Sequence, residues 1–183
     1  VAFLGLKGEV APAINKRLNE HVRIKMEMSE DISLYDHTLT ERIKSEIDFS
    51  YNEVVSRELV DGLIRFRADS TLVIWGQVDN FNVEAKRRGF FRAEAVGQLR
   101  VTLHMYSLGF KTMCYVGTLT CNAKTPINSI GFSSIRKHAH INPRERERIV
   151  SSVIDTMSQI SYQRAKAVLI HLRRKEQPQP FDE

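Results

Sequence analysis

Histidine, cysteine and carboxylate side chains are the groups in this chain that could bind a metal ion or transfer a proton. His138 and His140 form an H-x-H pair, but Arg136 and Lys137 stand directly before them and would repel a cation. We find no Cys or carboxylate near this pair at the spacing of metal ligands. The acidic residues between positions 41 and 61 recur among basic ones, which is typical of a solvated helix face. The sequence therefore predicts no metal site.

The motifs that carry catalysis in many enzymes are missing from the sequence. It contains no G-x-S-x-G elbow, no G-x-x-x-x-G-K-[ST] loop, no G-x-G-x-x-G and no H-E-x-x-H. Cys114 and Cys121 lie in one alternating segment, and their odd separation places them on opposite faces of a strand. At about 3.3 Å per residue they lie roughly 23 Å apart, which is too far for a disulfide bond. We therefore predict a protein that is not an enzyme and binds no cofactor.

Basic side chains are clustered in four segments, and we predict that the first two of these, around 86–91 and 136–137, are exposed interaction loops. In the first segment three cations are followed closely by two phenylalanines, and single-stranded nucleic-acid binders use such cations beside aromatic rings. A charged loop anchored by two phenylalanines gives the same pattern. The net charge of +5 gives only a mild preference for acidic partners. The predicted interaction residues are Lys86, Arg87, Arg88, Phe90, Phe91, Arg136 and Lys137.

The overall composition is that of a globular protein. Hydrophobic residues make up 42% and charged residues 27% of the 183 residues. No apolar run approaches the roughly 18 residues of a membrane-spanning helix. We predict one domain over residues 1–175 and a tail or linker over 176–183. Because Val1 leads straight into an apolar strand, we expect a further segment before it, which could carry a signal peptide or a lipid anchor.

The strongest periodic signal predicts an antiparallel β-hairpin. From Ala93 to Met105 every odd position is apolar or glycine, and all but one of the even positions are polar. Such alternation indicates a long strand with one buried face, which includes Leu103. A second alternating run, from Met113 to Cys121, follows a short connection in which Gly109 is available for a positive φ. The two runs therefore predict paired strands.

Helical periodicity predicts a long C-terminal helix. Asn142 can cap this helix, Pro143 suits its first turn, and apolar residues recur from Ile149 to Leu172. The other predicted helices cover 9–22, a stretch from Thr40 onward, and 51–66. The other predicted strands cover 1–6, 23–28 and 71–81. Loops are predicted over 82–91 and 124–142. These elements predict an α/β fold: a mixed β-sheet with an antiparallel hairpin, helices packed on it and a long C-terminal helix.

This order of elements resembles the CsgG-like bacterial envelope lipoproteins, whose domain is similar to the N-terminal domain of TolB. The segment Val1–Leu6 looks like the family's first strand, and Val101–Lys111 looks like its hairpin. The segment 66–78 looks like the family's pattern of an Asp, an apolar run and a Gly-x-Val. The matching residues are Ala68, Asp69, Gly76 and Val78. The resemblance covers most of residues 1–175.

The resemblance implies a non-catalytic assembly or scaffold domain of the periplasm, associated with the outer membrane. Such a domain acts through protein–protein contacts, as a homo-oligomer or within an envelope complex, and it could form rings. The charged loops over 82–91 and 124–142 are too short for the membrane hairpins of the channel-forming members, so we do not expect a pore. The alternative is a cytoplasmic domain that binds nucleic acid or a regulatory partner through the basic loops.

Overall fold

A mixed sheet with helices packed on it forms the part of the chain that the computed structural model describes, namely residues 1–46, 61, 72–87, 93–127 and 141–176. In chain order the elements are β1 (Ala2–Gly8), α1 (Pro12–Glu27), α2 (His37–Glu46), β2 (Leu72–Arg87), β3 (Ala93–Ser107), β4 (Thr112–Ile127) and α3 (Pro143–Glu176). The predicted α/β class is confirmed. The helix predicted over 51–66 lies outside the described residues except for Asp61, which is helical.

The strands follow one another across the sheet in the order β1-β2-β3-β4. The first two strands are parallel, and β2, β3 and β4 are joined as antiparallel neighbours. Leu103 at the middle of β3 pairs with Gly76 on one side and Gly117 on the other. The predicted hairpin is therefore confirmed, and its first strand lies between two others.

The odd-numbered side chains of β3 form the centre of the hydrophobic core, as their alternation predicts. Leu103 is 1% exposed, and the odd positions from Ala93 to Met105 are all buried. They pack with buried residues of α3 such as Val153 and Met157, and with Leu18 of α1. Because α1 and α3 also contact each other, one continuous core joins both helices to the sheet.

The start of α3 is held by reciprocal hydrogen bonds between Asn142 and Glu145. The backbone N–H of Glu145 donates to Oδ1 of Asn142 at 2.9 Å, and the backbone N–H of Asn142 donates to Oε2 of Glu145 at 3.1 Å. This capping box satisfies two N–H groups that a helix start leaves without partners. The cap predicted at Asn142 and the proline after it are thus confirmed.

Replacing Asn142 with alanine is expected to lower the free energy of unfolding by about 1 kcal/mol, because the N–H of Glu145 loses its acceptor. Arg144→Ala is the matched control, since Arg144 is exposed on the same first turn. Urea denaturation of both variants checks the difference. Equal stability of the two would contradict the capping role.

The strand predicted over 23–28 is wrong, because α1 continues to Glu27. Ile24, Met26 and Met28 do alternate, but Met26 also extends the four-residue spacing of the buried Leu18 and Val22. Ile24 is 49% and Met28 79% exposed, so the apparent strand face is not buried. The segment is helical and not a strand because the apolar stripe of the helix packs onto the core.

Two predicted loops are wrong in part, since strands extend into both. β2 continues through Arg87, and its residues 82–87 pair with 93–98 of β3. β4 continues through Ile127 and includes Pro126, which is tolerated because β4 lies at the edge of the sheet. These segments form strands because they pair with β3, and a strand tolerates polar side chains on a face that is open to solvent. Residues 88–92 and 128–140 lie outside the described part.

Two smaller predictions also change. The tip of the hairpin places the positive φ at Lys111, with a value of 49°, and not at Gly109. The second helix begins at His37, three residues before the predicted start at Thr40. The side chain of Asp36, just before the helix, accepts a hydrogen bond from the N–H of Thr38 at 2.7 Å.

Among the described residues, none of the helices has the length and apolar composition needed to cross a bilayer.

Candidate functional site

The predicted interaction residues are only partly within the described chain. Lys86 lies near the end of β2, is exposed, and forms an ion pair with Glu84, with its Nζ 2.8 Å from a carboxylate oxygen. Arg87 is the last residue of the same strand. The other five, namely Arg88, Phe90, Phe91, Arg136 and Lys137, lie outside the described residues. The structure therefore leaves the interaction role of these residues a prediction.

The outer edge of β1 is covered by asparagine side chains of α1. The N–H of Leu6 donates to Oδ1 of Asn19 at 2.6 Å, and Nδ2 of Asn19 donates back to the carbonyl of Leu6 at 2.8 Å. Nδ2 of Asn15 donates to the carbonyl of Gly8 at 3.0 Å. These side chains occupy backbone groups that an incoming strand would need, so this edge is closed along Leu6–Gly8.

At the opposite edge of the sheet, formed by β4, the described residues include no asparagine side chains of this kind. Within the described part of the chain, β4 pairs with β3 alone, and a side chain of β4 itself, the thiol of Cys114, bonds weakly to the carbonyl of Thr112. Lys124 and Pro126, which discourage strand pairing, stand near its far end. The ten residues from Thr112 to Cys121 contain neither a charge nor a proline. This segment, which we call the open edge, is therefore a template to which another strand can pair.

A groove of about 550 Å³ lies beside the open edge, between the start of β4 and the C-terminal half of α3. Four consecutive residues line it from the strand: Thr112, Met113, Cys114 and Tyr115. The ladder shifts there, because Met105 pairs with Tyr115 and Tyr106 with Met113, which leaves Cys114 as a bulge. From the helix, one stripe at helical spacing lines it: Arg164, Ala167, Val168, His171, Leu172 and Lys175.

The groove combines apolar walls with a cationic rim. Among the described residues, its lining contains Arg164, His171 and Lys175 but no aspartate or glutamate. The guanidinium carbon of Arg164 lies 5.1 Å from the centroid of the Tyr115 ring, so a cation–π contact holds this arginine over the strand. The groove therefore suits an apolar side chain that is accompanied by negative charge.

The thiol of Cys114 lies in the groove as an apolar group. Burial raises its pKa, and this outweighs a backbone hydrogen bond from Ser107 and the charge of Lys175, which both favour the thiolate. The thiol donates weakly to the carbonyl of Thr112 at 3.5 Å. Because the thiolate is the nucleophile, the raised pKa lowers the reactivity of this cysteine.

The two cysteines are expected to differ in their alkylation by iodoacetamide at pH 8. Cys121 is 3% exposed, and burial raises its thiol pKa to about 11, whereas Cys114 is partly exposed in the groove. Cys114 should therefore react about tenfold faster or more, as measured by peptide mass spectrometry. In denaturant the two rates should converge. Faster reaction of Cys121 in the folded protein would contradict the placement of α3 over β4.

Outside the groove, two polar side chains of β3, His104 and Thr102, have structural explanations. His104 stacks on the buried Trp75 with ring centroids 5.3 Å apart, and burial lowers the pKa of its imidazole, which favours the neutral ring. On the same face, Oγ1 of Thr102 donates to Asp79 at 2.8 Å. In the described ranges, no three His, Cys, Asp or Glu side chains are grouped as metal ligands. The groove is thus the candidate site that the described residues favour.

The comparisons with known proteins identify a shared fold. Neither a protein-family model nor a curated protein matches the sequence. The solved structure of the hypothetical protein CT253 from Chlamydia trachomatis matches with a TM-score of 0.52 and 12% identity, over 90% of this chain and 97% of that one. At this identity the similarity establishes the fold alone.

Bacterial lipoproteins are among the other solved structures that match. A minor lipoprotein from Acinetobacter baumannii has a TM-score of 0.46 and 12% identity, over 91% of this chain and 92% of that one. Lipoprotein GNA1162 from Neisseria meningitidis has a TM-score of 0.45 and 9% identity, over 86% and 96%. At these scores we draw no argument from them, and the finer resemblance to the CsgG-like family stays a prediction.

Proposed function

We propose that this chain is a non-catalytic assembly domain of the bacterial envelope that acts by binding an extended segment of a partner protein. The observation that carries the proposal is the open edge of β4, which lies directly beside an apolar groove. Extended peptides bind such edges through main-chain hydrogen bonds and gain specificity from neighbouring pockets. The contrast with β1, whose outer groups are bonded to Asn15 and Asn19, supports an edge that is kept free for a partner.

The location in the envelope, at the outer membrane, rests on the resemblance of the sequence to the CsgG-like lipoproteins. Three of the elements on which that resemblance rests, namely the first strand β1, the β3–β4 hairpin and the terminal helix α3, occur in the expected order, whereas the strand expected over 23–28 is part of α1. A scaffold of this kind needs no cofactor, and its binding energy comes from strand pairing and from burial of a partner's apolar side chain.

Photocrosslinking in the organism's own cells tests this proposal. In the full-length protein a photoreactive amino acid replaces Thr118, which lies on the open edge. In the matched control it replaces Glu9, which is exposed just after the other edge strand, β1. We expect the protein in the envelope fraction and a discrete adduct with another protein from Thr118 alone. A cytoplasmic protein, or equal adducts from the two positions, would contradict the proposal.

A further inference from the structure

We infer that the partner segment has the pattern acid-x-apolar-x-acid and adds a strand to the open edge, with its apolar side chain in the groove and its two acids at the cationic rim. This inference rests on the proposed function and specifies what binds. Three features of the described residues support it: the alignment of α3 with β4, the charges of the groove, and the charges of β4 itself.

The helix α3 runs alongside β4 in the opposite direction. Near one end the thiol of Cys121 donates to the carbonyl of Val153 at 3.4 Å, and near the other Arg164 lies over Tyr115. A strand added to the first residues of the open edge would therefore run beside the helix stripe that starts at Arg164, and this stripe continues to Lys175 past Thr112, toward Phe110 in the hairpin turn. Alternate side chains of that strand would face α3, and the others would face away from it.

The spacing of the rim cations sets the spacing of the acids. Arg164 and Lys175 are eleven residues apart on one helix, which corresponds to about 16 Å of axial rise. In an extended strand, residues i−2 and i+2 lie on one face about 13 Å apart. Two acids at these positions can each reach one cation, since the long side chains of arginine and lysine cover the difference. The residue between them faces the groove.

The charges of the groove select an acidic segment. Among the described residues, Arg164 and Lys175 form no ion pair, and the lining contains no acidic residue that could neutralise them. Between the two cations, Val168 and Leu172 give the groove an apolar wall. An apolar side chain flanked by acids therefore matches the groove in both polarity and charge.

A second copy of this chain is a poorer occupant of the open edge. β4 contains no acidic residue, and its one charged residue is Lys124. Pairing two β4 strands would bring the cationic rims together without any acid from either strand. The charges therefore favour a different, acidic partner over self-association at this edge.

Peptides of defined sequence test the inference on the intact protein. The probe is acetylated and amidated Thr-Glu-Thr-Leu-Thr-Glu-Thr, which places both acids and the leucine on one face. The matched control, Thr-Thr-Glu-Leu-Glu-Thr-Thr, has the same composition but places the acids on the opposite face. We expect saturable binding of the probe, affinity about tenfold lower for the control, and slowed amide exchange within Thr112–Cys121 of the ¹⁵N-labelled protein.

Variants of neighbouring lysine and arginine residues give the second comparison. Lys175 lines the groove, whereas Arg174 is exposed on the same helical turn outside it. Lys175→Glu is expected to weaken probe binding about tenfold, and Arg174→Glu to change it less than about twofold. Ala167→Phe, which fills the groove, should abolish the preference for leucine over alanine at the centre of the probe.

Several outcomes would overturn the inference. Equal affinity of the two peptides, unchanged exchange along β4, equal effects of the two charge variants, or no binding would each show that the occupant is of another kind. Protection of β4 that rises with protein concentration would assign the edge to a second copy. In each case crosslinking from Thr118 in cells still decides whether a protein partner is bound at all, so the two proposals fail separately.

Discussion

Replacing Leu103 with alanine is expected to lower the free energy of unfolding by about 2–5 kcal/mol. Leu103 is 1% exposed and lies on the central antiparallel strand, opposite Gly76 and Gly117. The residues paired with it on both sides are glycines, which have no side chain that could fill the cavity left by the leucine. The loss therefore combines the transfer free energy of the removed carbons with the free energy of the cavity that remains. Denaturant-induced unfolding followed by circular dichroism measures the change.

Val116→Ala is the matched control for this prediction. Val116 lies on β4, the second strand of the same hairpin, but it is 56% exposed. Its replacement should change the free energy of unfolding by less than about 1 kcal/mol. Similar effects of the two substitutions would mean that the odd face of β3 is not the core face, and the architecture would then be wrong.

Gly97→Ala is expected to destabilise the protein by about 1–3 kcal/mol, because α3 packs directly onto the glycine. A Cβ atom at position 97 would lie 2.6 Å from Cγ2 of Val153 and 3.0 Å from Cγ1 of Ile149. Both side chains are fully buried, so they can give way only by displacing the core or the helix. Denaturant unfolding again provides the measurement.

The double variant Gly97→Ala with Val153→Ala separates this steric effect from a general weakness of the strand. Removing the methyl groups of Val153 makes room for the new Cβ, so the double variant should be more stable than the sum of the two single effects predicts. Additive losses would show that α3 does not lie over Gly97. The claim that one helix covers the hairpin depends on this coupling.

The hairpin and the long helix could be predicted because their signals are local and repeated. Alternation over thirteen positions from Ala93 to Met105 specifies which face of β3 is buried. Asn142 and Pro143 mark the start of α3 for reasons that involve only the first helical turn. Each of these signals agrees with the tertiary packing, which is why local reasoning was sufficient.

The sequence misleads where tertiary contacts choose between two local patterns. Residues 23–28 fit both a strand and a helix, and the packing of Met26 with the core selects the helix. Residues 82–87 have the polar composition of a loop. They nevertheless pair with β3, because polar side chains are compatible with a strand that has a solvated face. Alternation and polarity alone cannot make these choices.

The candidate site could not be predicted because each part of it depends on a long-range relation. The absence of acids and prolines from Thr112–Cys121 is visible in the sequence, but its meaning depends on β4 lying at the edge of the sheet. The bulge at Cys114 appears only in the register with β3. The basic stripe of α3 becomes a rim only when Arg164 is placed over Tyr115.

Amide hydrogen exchange along β4 tests the central claim most directly, when it is measured on the free protein and on its complex with the partner identified by crosslinking. In the free protein, alternate amides of Thr112–Cys121 should exchange fast, while that of Leu6, bonded to Asn19, is protected. In the complex the fast amides should become slow. Uniform protection of this segment in the free protein, or fast exchange that persists in the complex, would contradict the account.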